Sequence, residues 1–402
     1  MVVLLHDVWS SLSDSYHYHN TREESVQTFS ERGFPMKESI TRYQFISLII
    51  LFEFGSSIIV GLGFEAKQNA WLFILLSMAG GLILYGLFTR FVSFYPDTPF
   101  PQVIQILAGP VIGYILVWGY ILYFLYISAR VLRDFTILIS QTILHETPLF
   151  AVSLLFMIVV GFACYLGIEV IARSGELFLP YVLLMGGLFL MFVFIMDLPK
   201  IERLEPFFNI GVKELLSLVF PRGVSFPFGE LIVFAVIFPH LEHPLNSFRY
   251  GVIGILISGI ILLIISVTIL MVLGPTIAMN STVPLLDTIS LVNIQGIIQR
   301  MDPIVIIIMV VTGFFKITIF FYGGVTMLQY LFKLPRRKSK GLIGFIGLLV
   351  MTVSMLISEN IAEHLKEGLE IVPLYVHVPM QMIVPSLLLL LLFIRKRKIQ
   401  KK

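Results

Sequence analysis

Ten runs of roughly twenty mostly apolar residues follow one another along this 402-residue chain. They cover 43–63, 70–87, 111–137, 149–166, 178–196, 221–241, 250–273, 303–331, 341–357 and 372–394. A helix of that length satisfies its own backbone and, being apolar on every side, belongs in hydrocarbon rather than water. Composition agrees. Hydrophobic residues make up 57% of the chain and charged ones 13%, against roughly 45–50% and about 25% in soluble domains. A disordered chain, a collagen-like fibre, a disulfide scaffold and a soluble enzyme are excluded, and the single Cys164 allows no intrachain disulfide. The expected fold class is all-α integral membrane. The fifth run extends toward Gly167, which would bury Arg173 and Glu176.

Basic residues in short loops orient such a chain. Lys333, Arg336, Arg337, Lys338 and Lys340 lie between runs eight and nine, and Arg395, Lys396, Arg397, Lys398, Lys401 and Lys402 follow run ten. Both clusters are expected in the cytoplasm, and ten spans then place the N-terminus there too. Lys200, Arg203 and Lys213 on the outer side run against the rule, but Asp197, Glu202, Glu205 and Glu214 accompany them. The two long connections, 197–220 and 274–302, fall outside, with short apolar stretches at 211–220 and 291–298 suited to the interface. Residues 395–402 form a basic cytoplasmic tail.

Residues 1–35 carry five acids against two bases and resemble neither a signal peptide nor a transit peptide. The membrane pattern starts directly after Met36-Lys37-Glu38. The expected translation start is therefore Met36, with 1–35 a leader; the alternative is a disordered cytoplasmic tail. Setting aside those five acids and two bases raises the formal charge from +3 to +6. The membrane domain is then 36–394, with repeats at about 43–196 and 211–357 and a last helix at 372–394.

Two runs are interrupted. Run one reads ILFEFGSSIIVGLG, with Gly55-Ser56-Ser57 near its middle; run six reads FPRGVSFPFGELIVF, with Pro221, Gly223, Pro227 and Gly229. These runs open two five-span halves, and glycine- or proline-broken helices at corresponding positions point to a transporter's midplane site. An unwound helix leaves free amides that attract a carboxylate and free carbonyls that suit an ammonium or cation. An amino acid carries both groups. The alternative is ordinary kinking and close packing.

Charges at bilayer depth are costly, so each is a functional candidate. Lys316 stands alone in run eight, Glu53 precedes the first break and Glu230 follows Gly229. Lys316 either replaces a coupling sodium near the first break, making the protein proton-linked or ion-independent, or pairs structurally with Glu53 or Glu230. Arg130 and Asp134 at i,i+4, and Arg173 and Glu176 at i,i+3, are expected to be local structural pairs. Run three carries Tyr114, Trp118, Tyr120, Tyr123 and Tyr126, of which Tyr120 and Tyr123 lie at the right depth to meet a ligand. His240-Leu241-Glu242-His243 reads as an interfacial cap between prolines rather than a metal site. No nucleotide, zinc-hydrolase, redox or nucleophile-elbow motif occurs, so neither a cofactor nor nucleic-acid binding is expected.

The stretches ILFEFGSSIIVGLGFEAKQNAW, ARSGELFLP and PRGVSFPFGELIVFAVIFPHL, together with ten spans and a basic tail, resemble the membrane-embedded B subunits of spore-germination receptors. These are the endospore germination permeases of the amino acid–polyamine–organocation superfamily. The resemblance covers about Met36 to Phe393. It implies a LeuT-like fold of two inverted five-span repeats and detection of a small germinant, often an amino acid, in the spore inner membrane beside A and C subunits. It places the ligand at Gly55, Ser56, Ser57, Phe228, Gly229 and Glu230, to which position adds Tyr123 and Lys316. A proton-coupled amino-acid permease is the second reading, and an ion or water channel the third.

Overall fold

A computed structural model of the chain describes residues 38–292, 301–335, 339–358 and 361–400. The leader, the end of the 291–298 stretch, Arg336, Arg337, Lys338, Lys401 and Lys402 lie outside these residues, as do the side chains of 395–400. Nine helices are long and apolar enough to cross a membrane among the described residues, from Arg42–Val60 to Glu363–Ile394. The ninth expected span is Lys340–Leu356, 17 residues long. The fourth span is Leu149–Leu166, as its apolar run predicts, and the fifth is Ile168–Ile195, beginning directly after Gly167 (φ 101°). A nine-residue helix, Phe100–Ala108, precedes the third span, Pro110–Thr142.

Spans one and six depart from regular helix. In span one Gly55 sits at φ −10°, ψ −115°, a kink in the middle of Arg42–Val60. Side-chain volume explains the glycine: a Cβ there would run into Lys316 Cβ at 2.9 Å. Thr41 starts the span with a capping box closed by Gln44. Span six begins as Val212–Leu218 and becomes π-helical over Val219–Gly223, with Phe220 extended. It continues as a 3-10 helix over Phe228–Val236. Prolines at 221 and 227 remove the donors that an uninterrupted α-helix needs.

These two spans form the centre. Ile40 accepts from Glu242 N and donates to His240 O, tying the start of span one to the end of span six. That role accounts for the His240–His243 segment, and no cluster of three metal-ligating side chains occurs among the described residues. Phe45 and Phe52 of span one pack edge-on against Phe234 of span six. Spans two, five, seven and eight surround this pair, and 15 of the 19 residues of span one are buried. The tenth span, Glu363–Ile394, is π-helical over Glu367–Ile371 and Pro373–Ile383. It packs on spans two, three and six.

Candidate functional site

Lys316 is fully buried in the middle of Asp302–Leu331. Its Nζ lies 2.6 Å from Glu230 Oε2, a buried charge pair. The ammonium also sits over the rings of Phe226 at 4.6 Å and Phe52 at 5.2 Å. Glu53, two residues before the kink, is completely buried, and neither of its oxygens has a hydrogen-bond partner among the described residues. It feels the charges of both Lys316 and Glu230. Formally, two carboxylates share one ammonium in a dry interior, where uncompensated charge is expensive.

The tenth span closes this centre. Gln381 Nε2 donates to Tyr123 Oη at 2.8 Å and lies 3.0 Å from His377 Nδ1, while Tyr123 Oη is 2.9 Å from the same nitrogen. Gln381 can only donate through Nε2, so Nδ1 accepts and the imidazole proton sits on Nε2. That nitrogen lies 3.9 Å from Glu230 Oε1. Tyr120 donates to Met380 O at 2.9 Å, pinning the same span. Tyr123→Phe is expected to lower stability by about 1–2 kcal/mol, the cost of one buried hydrogen bond and an under-satisfied partner. Tyr114→Phe, at an exposed position, should leave thermal unfolding in detergent unchanged.

Of the residues expected at the site, Glu53, Gly55, Tyr123, Gly229, Glu230 and Lys316 come together. A Cβ on Gly229 would meet Gln381 Oε1 and, at 2.9 Å, Val224 O. Ser56 lines a cavity beside the cluster, whereas Ser57 donates back to Glu53 O at 2.8 Å. Phe228 points elsewhere: it fills the space left by Gly81 of span two and lies near Gly259 of span seven. His377, Gln381 and Phe226 were not expected there. The first two are polar residues at i,i+4 inside an apolar span flanked by Pro373, Pro379 and Pro385, which was the available signal.

The cavity holds about 60 Å³ and runs from Glu230, His377 and Ser56 to Arg130, Asp134, His364 and Gly368. Its volume suits about two waters. Arg130 and Asp134 do not pair with each other. Asp134 Oδ1 lies 2.8 Å from His364 Nε2, and Arg130 bonds Glu367 Oε2 at 3.3 Å and His364 O at 2.5 Å. Arg133 donates to Ser358 O at 3.2 Å. The head of the tenth span thus supplies the partners that a local pairing would have provided. Arg173 and Glu176 also differ from expectation, for both are exposed. Arg173 pairs with Glu169, near the start of the fifth span, where Glu before Arg at i,i+4 is the favoured order.

A kinked first span, a broken sixth and a buried polar cluster between them define a LeuT-like transporter architecture of two inverted five-span repeats. The same fold is found in Mhp1, a nucleobase–cation–symport-1 family transporter solved closed with bromovinylhydantoin bound. The TM-score is 0.58 at 14% identity, over 84% of this chain and 78% of that one. It is also found in MhsT in complex with L-phenylalanine, with a TM-score of 0.65 at 14% identity, over 88% of this chain and 90% of that one. Residues 39–362 match the spore permease family, described as spore germination proteins, and the chain belongs to that family. It is 33% identical over 366 residues to spore germination protein KB of Bacillus subtilis (strain 168), covering 91% of this chain and 97% of that protein. Family and fold are those of permeases and receptor subunits.

Proposed function

We propose that this chain is the membrane subunit of a spore germinant receptor, binding a small nutrient, an amino acid, between its two broken spans and helping to trigger germination. The observation that carries this reading is the buried cluster of Glu53, Glu230, Lys316, His377 and Tyr123 where spans one, three, six, eight and ten converge. A stably folded core has no need of two carboxylates around one ammonium in the dry, whereas a ligand site at the joint of two repeats does. Gly55, Ser56, Ser57, Gly229, Glu230, Tyr123 and Lys316 are the proposed ligand-binding residues, and Phe228 shapes the sixth span from behind. The receptor sits in the spore inner membrane with both termini cytoplasmic, beside A and C subunits. Ligand binding shifts the balance between two arrangements of the repeats, by no more than its difference in affinity for them.

Deleting the gene is expected to abolish germination toward at least one amino acid while other nutrients still act. Germination unchanged toward every nutrient tested would sink the receptor reading. The likeness to transporters favours a second reading, proton-coupled amino-acid uptake. Labelled amino acid accumulating in liposomes that contain only this chain would establish it.

A further inference from the structure

The far end of the cavity holds a guanidinium that is only half used. Arg130 is 6% exposed and lines the cavity. Its firm bond is to a backbone carbonyl, His364 O at 2.5 Å; its other contacts, Tyr126 Oη and Glu367 Oε2, are both at 3.3 Å. An Arg–carboxylate pair at full strength is bidentate, with separations of roughly 2.7–2.9 Å. Glu367 makes one long contact from a side chain 32% exposed, and it belongs to the π-helical stretch Glu367–Ile371. Asp134, the other acid nearby, is engaged by His364. Glu367 is therefore the loosest member of the cluster and the one nearest the outside.

We propose that Arg130 is the anchor for the carboxylate of the ligand, and that Glu367 fills its place while the site is empty. This rests on the reading of the cavity as a small-molecule site and names the chemistry it selects. At the inner end the carboxylate of Glu230 lines the cavity, beside Lys316. At the outer end, departure of Glu367 leaves the positive charge of Arg130 facing the same space. With the carboxylate of Glu230 at one end and the guanidinium of Arg130 at the other, and Asp134 held by His364, the cavity offers a partner to each charged group of an α-amino acid and no such match to an uncharged sugar or nucleoside. With room now for about two waters, ligand enters by displacing a side chain, and Glu367 can swing outward without crossing the core. Gly368 lies directly against Arg130, for a Cβ there would approach Nη2 to 2.9 Å. Exchange of Glu367 for ligand therefore loosens the head of the tenth span in the same event.

The experiment uses the purified full-length protein and thermal stabilisation by each of the twenty common amino acids, then by the carboxamide and the decarboxylated amine of each stabilising one. Acids are expected to bind at least tenfold more tightly than their amides and amines. Glu367→Gln is expected to lower the half-saturating amino-acid concentration about two- to fivefold, by removing a partly exposed competing ion pair. Arg130→Lys should weaken the acid at least tenfold and erase its advantage over the amide. An amide that binds as well as its acid overturns the assignment, and so does an unchanged half-saturation in Glu367→Gln, an isosteric change at a half-exposed side chain. If none of the twenty stabilises the wild-type protein, the amino-acid reading itself falls.

Discussion

Lys316→Met is expected to destabilise the protein by about 3–5 kcal/mol, the usual cost of removing one member of a buried ion pair. The reason lies in what stays behind. Glu230, 2% exposed, loses the ammonium at 2.6 Å, and Glu53, already without a hydrogen-bond partner among the described residues, loses the nearest positive charge. Two buried carboxylates are then left without that cation. Met also forfeits the contacts that the ammonium makes over Phe52 and Phe226. Removing the acid as well should recover much of the loss, because a buried pair replaced by apolar residues of similar volume is often neutral. Lys316→Met with Glu230→Met is therefore expected to unfold at a higher temperature in detergent than Lys316→Met alone. Equal stability of the single variant and wild type would show that the pair contributes nothing. Both variants should lose the germination response.

Gly55→Leu is expected to abolish the response while the protein still reaches the membrane. The kink brings the backbone so close to Lys316 that even a Cβ would collide with the side chain. Overpacking of a filled interior costs typically 1–3 kcal/mol, too little to keep a protein buried in a bilayer from folding. It is enough to push Lys316 off Glu230 and distort the cavity wall that Ser56 forms. Gly186→Leu is the control, since nothing lies within 4 Å of that glycine's added Cβ; it should respond as wild type. A Gly55→Leu protein that germinates normally would mean that the kink has no part in sensing.

Much of this architecture is legible because hydrocarbon imposes a length on helices. The run 149–166 coincides with a helix, and breaks at Gly55 and around Pro221–Gly229 are visible as residues that cannot hold a helix together or leave room for a neighbour. What the pattern leaves open is direction. Apolar spans show weak facial preference, so it does not say that Phe228 faces Gly81 while Glu230 faces Lys316. Nor does it favour Glu169 over Glu176 as the partner of Arg173, because the start of the fifth span decides which acid shares its face. The tenth span hid the most. His377 and Gln381 share a face at i,i+4, but nothing in the apolar pattern says that this face meets Tyr123. His364 and Glu367 fell before the expected start of that span, so their hold on Arg130 and Asp134 was out of view.

The winding of Glu367–Ile371 and Pro373–Ile383 has a mechanical consequence. A π-helix closes its bonds one residue further along than an α-helix does, so its turns are wider and it is shorter for the same number of residues. Returning part of it to α winding would lengthen the rod and turn one end against the other. With such a change the span would act as a screw, in which a swap of bonding partners near Glu367 becomes travel and rotation at the end that begins with Val384. The basic residues from Arg395 onward continue that same helix to Gln400. A small change at the cavity would arrive there as a displacement large enough for another subunit to read.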